Sequence, residues 1–203
     1  MPLPESVLAV PATAIDRLGR FDGFSADRRY FAALAASRFV DRAEAEEDES
    51  FRQIIPYVVL RSRGRIFSYA RTARGGERRL HGRRSIGVGG HVNPADLPGG
   101  LAGLAAAPEP ALIAAARREL AEETVLAARA ELGWLGFIRD DAAPVARVHF
   151  GVVFAAELAD ELAGLSDEGK MAEARFVGLA ELLRDRESYE GWSRLVIEHL
   201  AGP

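Results

Sequence analysis

Three glutamates on one turn of a helix constrain this chain more than any other feature of its sequence. Residues 118–123 read Arg-Glu-Leu-Ala-Glu-Glu, within a stretch of good helix propensity from Ala111 to Thr124. On a helix, Glu119, Glu122 and Glu123 stand at positions i, i+3 and i+4, so their carboxylates share one face and repel each other. A bound divalent cation removes this repulsion, and Mg²⁺ and Mn²⁺ prefer such oxygen ligands. A solvated acidic face is the alternative, and it is the more common meaning of an isolated acidic triplet.

The residues upstream of the glutamates favour the metal-binding interpretation. Residues 84–88 predict a short strand, which ends in the paired glycines Gly89 and Gly90. The stretch from Asn93 to Pro110 is rich in proline and glycine and is expected to be a loop. Pro110 stands where the first turn of a helix tolerates proline. A strand, a glycine turn, a loop and an acidic helix therefore follow one another.

This strand–loop–helix unit resembles the signature of the Nudix hydrolase superfamily, whose members are also called MutT-like. The family pattern is Gly, five residues, Glu, seven residues, Arg-Glu-aliphatic-any-Glu-Glu-any-Gly-aliphatic. Its first glycine is matched by Gly90. The second half is matched position by position by Arg118, Glu119, Leu120, Glu122, Glu123 and Leu126. The resemblance implies the Nudix fold, in which a mixed β-sheet is sandwiched between helices.

The loop departs from the family pattern. Asp96 stands at the position of the first glutamate, and 21 residues separate it from Arg118, which is 14 more than the pattern has. Gly103 and Glu109 offer a second alignment, in which Arg118 falls one residue late. The strand that precedes Gly90 favours the first alignment.

A third departure lies at the end of the helix. Val125 replaces the glycine that follows the glutamates in the family. Because valine resists positive φ, the helix should end differently from the family or continue a little further. None of these departures removes a carboxylate of the triplet.

The rest of the chain predicts strands that alternate with helices, and hence an α/β or α+β fold. Residues 1–50 are expected to form an N-terminal extension packed on a Nudix domain of residues 51–203. The predicted strands are Val7–Val10, Ile54–Leu60, Arg65–Ala70, Leu132–Ile138, Val145–Glu157 and Phe176–Val177. The other predicted helices are Tyr30–Val40, Leu179–Arg184 and Trp192–Leu200, and Asp41–Ser50 is expected to be a solvated acidic loop.

The likeness extends beyond the glutamate motif. The segments 21–24, 55–59 and 80–87 look like those of a little-studied Nudix subgroup often labelled predicted phosphoesterase. The resemblance therefore covers most of the chain, but it brings no known substrate.

The resemblance implies a metal site made by Glu119, Glu122 and Glu123. The backbone carbonyl of Gly89 is a further implied ligand, because a missing side chain lets metal and phosphate approach. Mg²⁺ or Mn²⁺ at this site would polarise phosphoryl oxygens and activate a water for attack. Arg118 is expected to hold one of the glutamates through a charge-assisted hydrogen bond.

The general base stays open at this point, with Glu122 and a glutamate outside the motif as the candidates. Glu173 is the outside candidate, because it lies a few residues before an aromatic strand and a helix, as in many Nudix proteins. Asp167 and Glu168 are neighbours that can serve instead. A loop glutamate in water is the other interpretation of Glu173.

Four residues are predicted to contact an anionic substrate: Arg71, Arg83, Arg84 and His91. Arginine makes bidentate contacts with phosphate, and the ordinary pKa of a histidine makes His91 a usable donor. The competing interpretation is that these residues are solvated, in a chain in which every basic residue except Lys170 is an arginine.

Together these features predict a pyrophosphohydrolase that acts on a nucleoside diphosphate derivative or a similar small phosphorylated metabolite. A catalytically silent Nudix-fold ligand-binding or sensor module is the alternative, disfavoured because the triplet is complete. The chain has no cysteine and lacks a signal peptide or a long apolar run, so a cytoplasmic location without membrane association is expected. The net charge of -4 gives no sign of a nucleic-acid polymer as partner. A homodimer formed through residues 1–50 is a further hypothesis.

Overall fold

The computed structural model describes residues 5–72, 82–124, 131–159 and 171–202. Some residues named above lie outside these ranges, namely Val125, Leu126, Asp167, Glu168, Lys170 and residues 80 and 81 of the segment 80–87. Within the described ranges, every helix is too short or too polar to cross a membrane.

The described residues form strands and helices that alternate along the chain. The strands are β1 Ser6–Pro11, β2 Gly23–Ser25, β3 Arg38–Asp41, β4 Phe51–Ser62, β5 Arg65–Arg71, β6 Arg84–Ser85, β7 Gly87–Gly89, β8 Leu132–Arg139, β9 His149–Glu157 and β10 Met171–Gly178. The α-helices are α1 Ala12–Asp16, α2 Arg42–Ala45, α3 Gly100–Ala106, α4 Pro108–Glu123, α5 Pro144–Arg147, α6 Leu179–Arg184 and α7 Gly191–Ala201. Three 3₁₀ helices cover Arg28–Ala36, Pro94–Asp96 and Arg186–Ser188. The predicted mixed α+β class is confirmed.

The predicted hairpin of β4 and β5 shows why local signals were reliable. Arg61 pairs with Ile66 and Ser62 with Arg65, so two residues make the turn. Arg63 and Gly64 have φ values of 49° and 74°, as a type I′ turn requires at both central positions. A glycine at the second position makes this turn favourable.

The predicted helix Tyr30–Val40 is wrong in type and in extent. A 3₁₀ helix begins at Arg28, after Asp27 accepts a hydrogen bond from the Arg29 N–H, and it ends at Ala36. Phe39 and Val40 then lie in strand β3, which pairs antiparallel with β1. Pairing with a strand about thirty residues earlier in the chain outweighed the local helical spacing.

Two segments predicted as loops contain helices. Asp41 caps helix α2, because its carboxylate accepts the N–H groups of Ala43 and Glu44. In the stretch 93–110 the alanine-rich residues form α3, and the glutamate helix α4 begins at Pro108. The prolines and glycines of this stretch suggested a loop. The alanines between them have a high helix propensity, and these residues form a helix instead.

Two strands differ in length from their predictions. The residues from Pro144 to Arg147 form helix α5, so β9 begins only at His149. Strand β10 is much longer than the predicted Phe176–Val177, because it pairs with β5 along most of its length.

The chain divides into two compact units. The first comprises Met1–Tyr57, Gly90–Arg118 and Trp134–Val153. In it β1 lies between β3 and β4, and the order β4-β9-β8-β2 continues the sheet. Its core includes the fully buried rings of Tyr30, Phe137 and Phe150.

The second unit comprises Val58–Gly89, Glu119–Gly133 and Phe154–Pro203. Here β5 lies between β4 and β10, and the short strand β6 also pairs with β5. The rings of Phe67 and Phe176 pack in its core with their centroids 5.6 Å apart.

Candidate active site

The three glutamates lie in the last two turns of α4. One side of this helix is buried through Ala116 and Leu120, which are fully covered. Glu119 is only 9% exposed, Glu123 is half-buried and Glu122 is exposed. The carboxylates thus extend from the covered side of the helix to the solvent. After Glu123, both the N–H and the hydroxyl of Thr124 donate to the Leu120 carbonyl at 2.8 Å, which satisfies an end carbonyl of the helix.

The glycine strand β7 belongs to the same compact unit as the glutamates. The hydroxyl of Tyr69 donates to the Gly87 carbonyl at 2.8 Å, two residues before Gly89. Burial is the largest cause that raises the pKa of Tyr69, and the positive charge of Arg71 acts to lower it. The negative charge of Glu123 is one of the smaller causes that raise this pKa. Glu123 therefore lies within electrostatic reach of the side chain that holds β7.

The donor set fits Mg²⁺ or Mn²⁺ in its chemistry. Three carboxylates and a backbone carbonyl are hard oxygen ligands, which these cations prefer. Within the residues that the structure describes, however, no group of three or more His, Cys, Asp or Glu side chains is arranged to hold a metal ion. The ligand types agree with the sequence expectation, and their use as ligands stays a proposal.

Arg118 is held by Asp96. Its Nε donates to Oδ1 of Asp96 at 2.7 Å and its Nη2 donates to Oδ2 at 3.0 Å, so the contact is bidentate. Nη2 also donates to the carbonyl of His91 at 2.8 Å. Asp96 lies outside the triplet, at the position of the first glutamate of the family pattern. A contact of Arg118 with one of the three glutamates stays a prediction.

His91 has a very different environment from the one expected. Burial lowers its pKa to about 3, and the positive charges of Arg42 and Arg118, together with His149, contribute further. The lowered pKa keeps the imidazole neutral at mildly acidic pH as well as at pH 7, which differs from the ordinary pKa that the sequence led us to expect. Its Nε2 is buried and has no hydrogen-bond partner among the described residues. A contact with substrate stays a prediction.

Glu173 lies inside strand β10 and not in a loop before a strand. The register with β5 shifts between Ala172 and Arg175, and Glu173 in this bulge has a φ of 50°. Positive φ is costly for a residue with a side chain, and such conformations tend to occur at functional positions. The Glu173 side chain is 74% exposed.

Arg84 holds this glutamate. Its Nη1 donates to Oε2 of Glu173 at 3.0 Å, and its Nη2 donates to the Glu173 carbonyl at 3.2 Å. Nε and Nη2 also donate to the hydroxyl of Ser68 at 3.2 Å. The Arg84 side chain is only 16% exposed, so its structural role is to fix the bulge. Binding of phosphate by Arg84 stays a prediction.

The other two predicted substrate arginines lie close to Arg84 along the backbone. The N–H of Arg71 donates to the carbonyl of Arg83 at 2.9 Å, and Ala70 pairs with Arg84 between β5 and β6. Arg83 is exposed, and its Nη1 donates to the carbonyl of Glu187 at 2.8 Å. The structure thus brings Arg71, Arg83 and Arg84 together at one end of β5 and β6.

Sequence reasoning missed Glu190 and Ser193, which meet the strand before Gly89. Glu190 caps α7, with its carboxylate oxygens accepting the N–H groups of Trp192 and Ser193. Glutamate is not among the residues preferred at a helix N-cap, so its position before the predicted helix did not indicate this role. Nothing in the sequence indicated that Ser193 would touch a strand about 100 residues away.

The comparisons with known proteins agree with this architecture. The family model described as "NUDIX domain" matches residues 50–200. Protein YmaB of Bacillus subtilis (strain 168) is 35% identical over 170 residues, which are 82% of this chain and 79% of that protein. The crystal structure of Tm1382, described as a candidate Nudix hydrolase, superposes with a TM-score of 0.78 at 30% identity, over 97% of this chain and 98% of that one.

A more distant structure shows the same fold. The MutT protein of Methanosarcina mazei Go1 has a TM-score of 0.51 at 17% identity, over 73% of this chain and 91% of that one. The likeness defines the fold of a Nudix protein. With the family model matching most of the chain, the protein belongs to the Nudix family.

The predicted family and fold are therefore confirmed. Membership supports a hydrolase and, in general, the hydrolysis of a pyrophosphate bond. Nudix hydrolases generally use divalent metals such as Mg²⁺ or Mn²⁺.

Proposed function

We propose that this protein is a metal-dependent pyrophosphohydrolase. Its substrate is a nucleoside diphosphate derivative or a similar small phosphorylated metabolite, and it acts in the cytoplasm. The observation that carries the proposal is the complete carboxylate triplet on α4, whose opposite side is anchored by the buried residues Ala116 and Leu120. A rigid helix with a covered back is suited to hold carboxylates in a fixed relative position.

In this proposal Glu119, Glu122 and Glu123 hold the metal together with the Gly89 carbonyl. Mg²⁺ or Mn²⁺, when bound, supplies polarisation of the phosphoryl oxygens and lowers the pKa of a water. Arg118 fixes the start of the glutamate turn through Asp96, which is only 7% exposed.

Glu122 and a carboxylate outside the motif remain the candidates for the general base. Glu173 is the outside candidate, and Asp167 and Glu168, which the structure does not describe, are the alternatives to it. Glu122 and Glu173 are both exposed to solvent. Arg84 orients Glu173 and keeps its carboxylate in one place. Arg71, Arg83 and His91 are the proposed contacts for the anionic substrate, and Arg84 is a further candidate if it exchanges Glu173 for phosphate.

The test is phosphate release, with a coupling phosphatase, across several classes of pyrophosphate. The panel comprises nucleoside diphosphate sugars, dinucleoside polyphosphates, nucleoside triphosphates and non-nucleotide pyrophosphates, each with Mg²⁺, with Mn²⁺ and with chelator. We expect metal-dependent turnover of one class. Turnover that is equal with metal and with chelator would contradict the proposed mechanism.

The alternative function is a catalytically silent ligand-binding or sensor module. A folded protein that binds neither Mg²⁺ nor Mn²⁺ by calorimetry, and that turns over no member of the panel, would favour this function over the hydrolase.

We also propose a homodimer formed through residues 1–50. Strand β1 is paired on both sides, by β3 and by β4, so its edges do not provide the interface. The interface must use other surfaces of the extension. A monomeric mass by light scattering would refute the dimer.

A further inference from the structure

A buried polar network joins the start of helix α7 to the strand segment that precedes the predicted metal ligand Gly89. The segment is interrupted at Ile86, which lies between β6 and β7. The N–H of Ile86 donates to the hydroxyl of Ser193 at 3.0 Å. A helix side chain thus supplies the acceptor that a neighbouring strand normally provides. Ser193 is fully buried, so water cannot replace this contact.

Glu190 fixes the hydroxyl of Ser193. Oε1 of Glu190 accepts this hydroxyl at 2.5 Å and the Ser193 N–H at 2.9 Å. Because Ser193 gives its proton to Glu190, its oxygen lone pairs are available to the Ile86 N–H.

Two more backbone groups of the same strand segment are held. The carbonyl of Arg84 accepts the N–H of Glu190 at 3.0 Å. The carbonyl of Gly87 accepts the hydroxyls of Tyr69 at 2.8 Å and of Ser85 at 3.1 Å. The segment that leads to Gly89 is therefore fixed from the α7 side and from the β5 side.

We propose that Ser193 and Glu190 are positioning residues that set the place of the Gly89 carbonyl through strand β7. The inference rests on the proposed function, because it takes the Gly89 carbonyl as a metal ligand. Partners in the outer shell of a metal site orient the ligands, and their loss typically weakens metal binding by about 10- to 100-fold. The C-terminal helix, which carries none of the proposed ligands, would thereby contribute to metal affinity.

The test compares Ser193→Ala with the wild-type chain in two measurements. Amide hydrogen exchange at residues 86–89 should be about 10-fold faster in the variant, because the Ile86 N–H loses its acceptor. The dissociation constant for Mn²⁺, measured by calorimetry without substrate, should rise by about 10-fold. Ser193→Thr keeps the hydroxyl and should restore both values in part.

Ser62→Ala is the matched control. Ser62 is also a fully buried serine, but its hydroxyl has no hydrogen-bond partner among the described residues. Its removal should leave both measurements unchanged. If Ser193→Ala does not fold, Glu190→Gln keeps the size of the side chain and weakens the same contacts.

The outcomes separate this inference from the proposed function. Unchanged exchange at residues 86–89 in Ser193→Ala would overturn the positioning role. Faster exchange with unchanged Mn²⁺ affinity would overturn its link to the metal. A wild-type chain that binds no Mn²⁺ would refute the metal site itself, and the exchange measurement would still decide whether Ser193 positions β7.

Discussion

Asp96 stands where the family pattern has a glutamate, and its carboxylate receives two nitrogen donors from Arg118. It also accepts the N–H of Asn93 at 2.8 Å, which ties the segment before the insertion to the same carboxylate.

Removal of Arg118 should destabilise the protein. Arg118→Ala leaves a carboxylate that is 7% exposed without its charged donors, so we expect the free energy of unfolding to fall by about 2–3 kcal/mol. Urea unfolding measures the loss. Arg117→Ala, at the neighbouring half-buried position, is the control and should cost far less. Equal losses in the two variants would contradict the role assigned to Asp96.

Asp141 should make part of the stability dependent on pH. Burial acts to raise the pKa of this carboxyl, but hydrogen bonds and charges from Arg52, Arg139 and Arg20 outweigh burial and lower it. A carboxyl whose pKa is lower in the folded state stabilises the protein above its unfolded pKa of about 3.9, and this contribution is lost as the pH falls through the folded pKa.

The variant Asp141→Asn tests this dependence. It should be less stable than the wild type at pH 7, and the difference should shrink as the pH falls below about 4. Urea unfolding at pH 7 and at pH 3 provides both values. A difference that stays constant between the two pH values would show that the charge of Asp141 is not the cause.

At the residue scale, the sequence predicted the chemical groups of the site better than it predicted the residues that contact them. The carboxylate triplet followed from helical spacing alone, because residues three and four apart must share a face. Asp96, a partner of Arg118, lies 22 positions away from it, and residues far along the chain contribute to the lowered pKa of His91. Such contacts depend on the tertiary fold, which spacing does not describe.

The pairing of β2 with β8 joins the N-terminal extension to the strand that follows the glutamate helix in sequence. Gly136 is required here, because a Cβ at this position would lie 2.3 Å from Cζ of Phe24 and 2.8 Å from the Ser25 carbonyl. The backbone contact cannot be relieved by a change of rotamer. The close approach of the two strands therefore depends on the absence of a side chain.

Gly136→Ala should weaken this pairing. We expect a loss of about 1–3 kcal/mol in the free energy of unfolding, as for overpacking elsewhere. The control is Gly133→Ala in the same strand, where a new Cβ meets no atom within 4 Å. Thermal unfolding of both variants gives the comparison. A Gly136→Ala protein as stable as Gly133→Ala would show that the extension does not dock as described.

At the element scale, local sequence signals predicted the β4–β5 hairpin and a regular helix correctly. Elements that depend on pairing with a distant strand were predicted less well. The β4–β5 turn and helix α6 were found from their own residues. The residues from Arg38 to Asp41 were expected to continue a helix, yet they form β3 because β1 offers them a partner. Helix α3 was not predicted, because its glycines and the flanking prolines are typical of a loop and its alanines were given less weight.

The Nudix family model begins at residue 50, yet the first fifty residues contribute core strands to the compact unit that contains them. Val7, Leu8, Ala9 and Val10 of β1 are fully buried, and β1 pairs with the start of β4. The boundary between an extension of residues 1–50 and a domain of residues 51–203 stays a prediction about independent folding.

Deletion of residues 1–50 tests that boundary at the scale of the whole molecule. It removes the partner of β4 at Phe51, Arg52 and Gln53 and uncovers the apolar surface under β1. We expect the shortened chain to lose cooperative unfolding or to aggregate, because an unpaired apolar edge associates readily. Circular dichroism during heating measures this. A cooperative transition at the wild-type temperature would show that the extension is dispensable.

The central claim is that the glutamate face of α4 carries metal-dependent hydrolysis. The most direct test is phosphate release by Glu123→Gln on the substrate class found for the wild-type chain, with Glu131→Gln, an exposed glutamate outside the helix, as control. We predict that Glu123→Gln loses metal-dependent turnover while its circular dichroism spectrum is unchanged, and that Glu131→Gln keeps the wild-type rate. An unchanged rate in Glu123→Gln would contradict the assignment of the site.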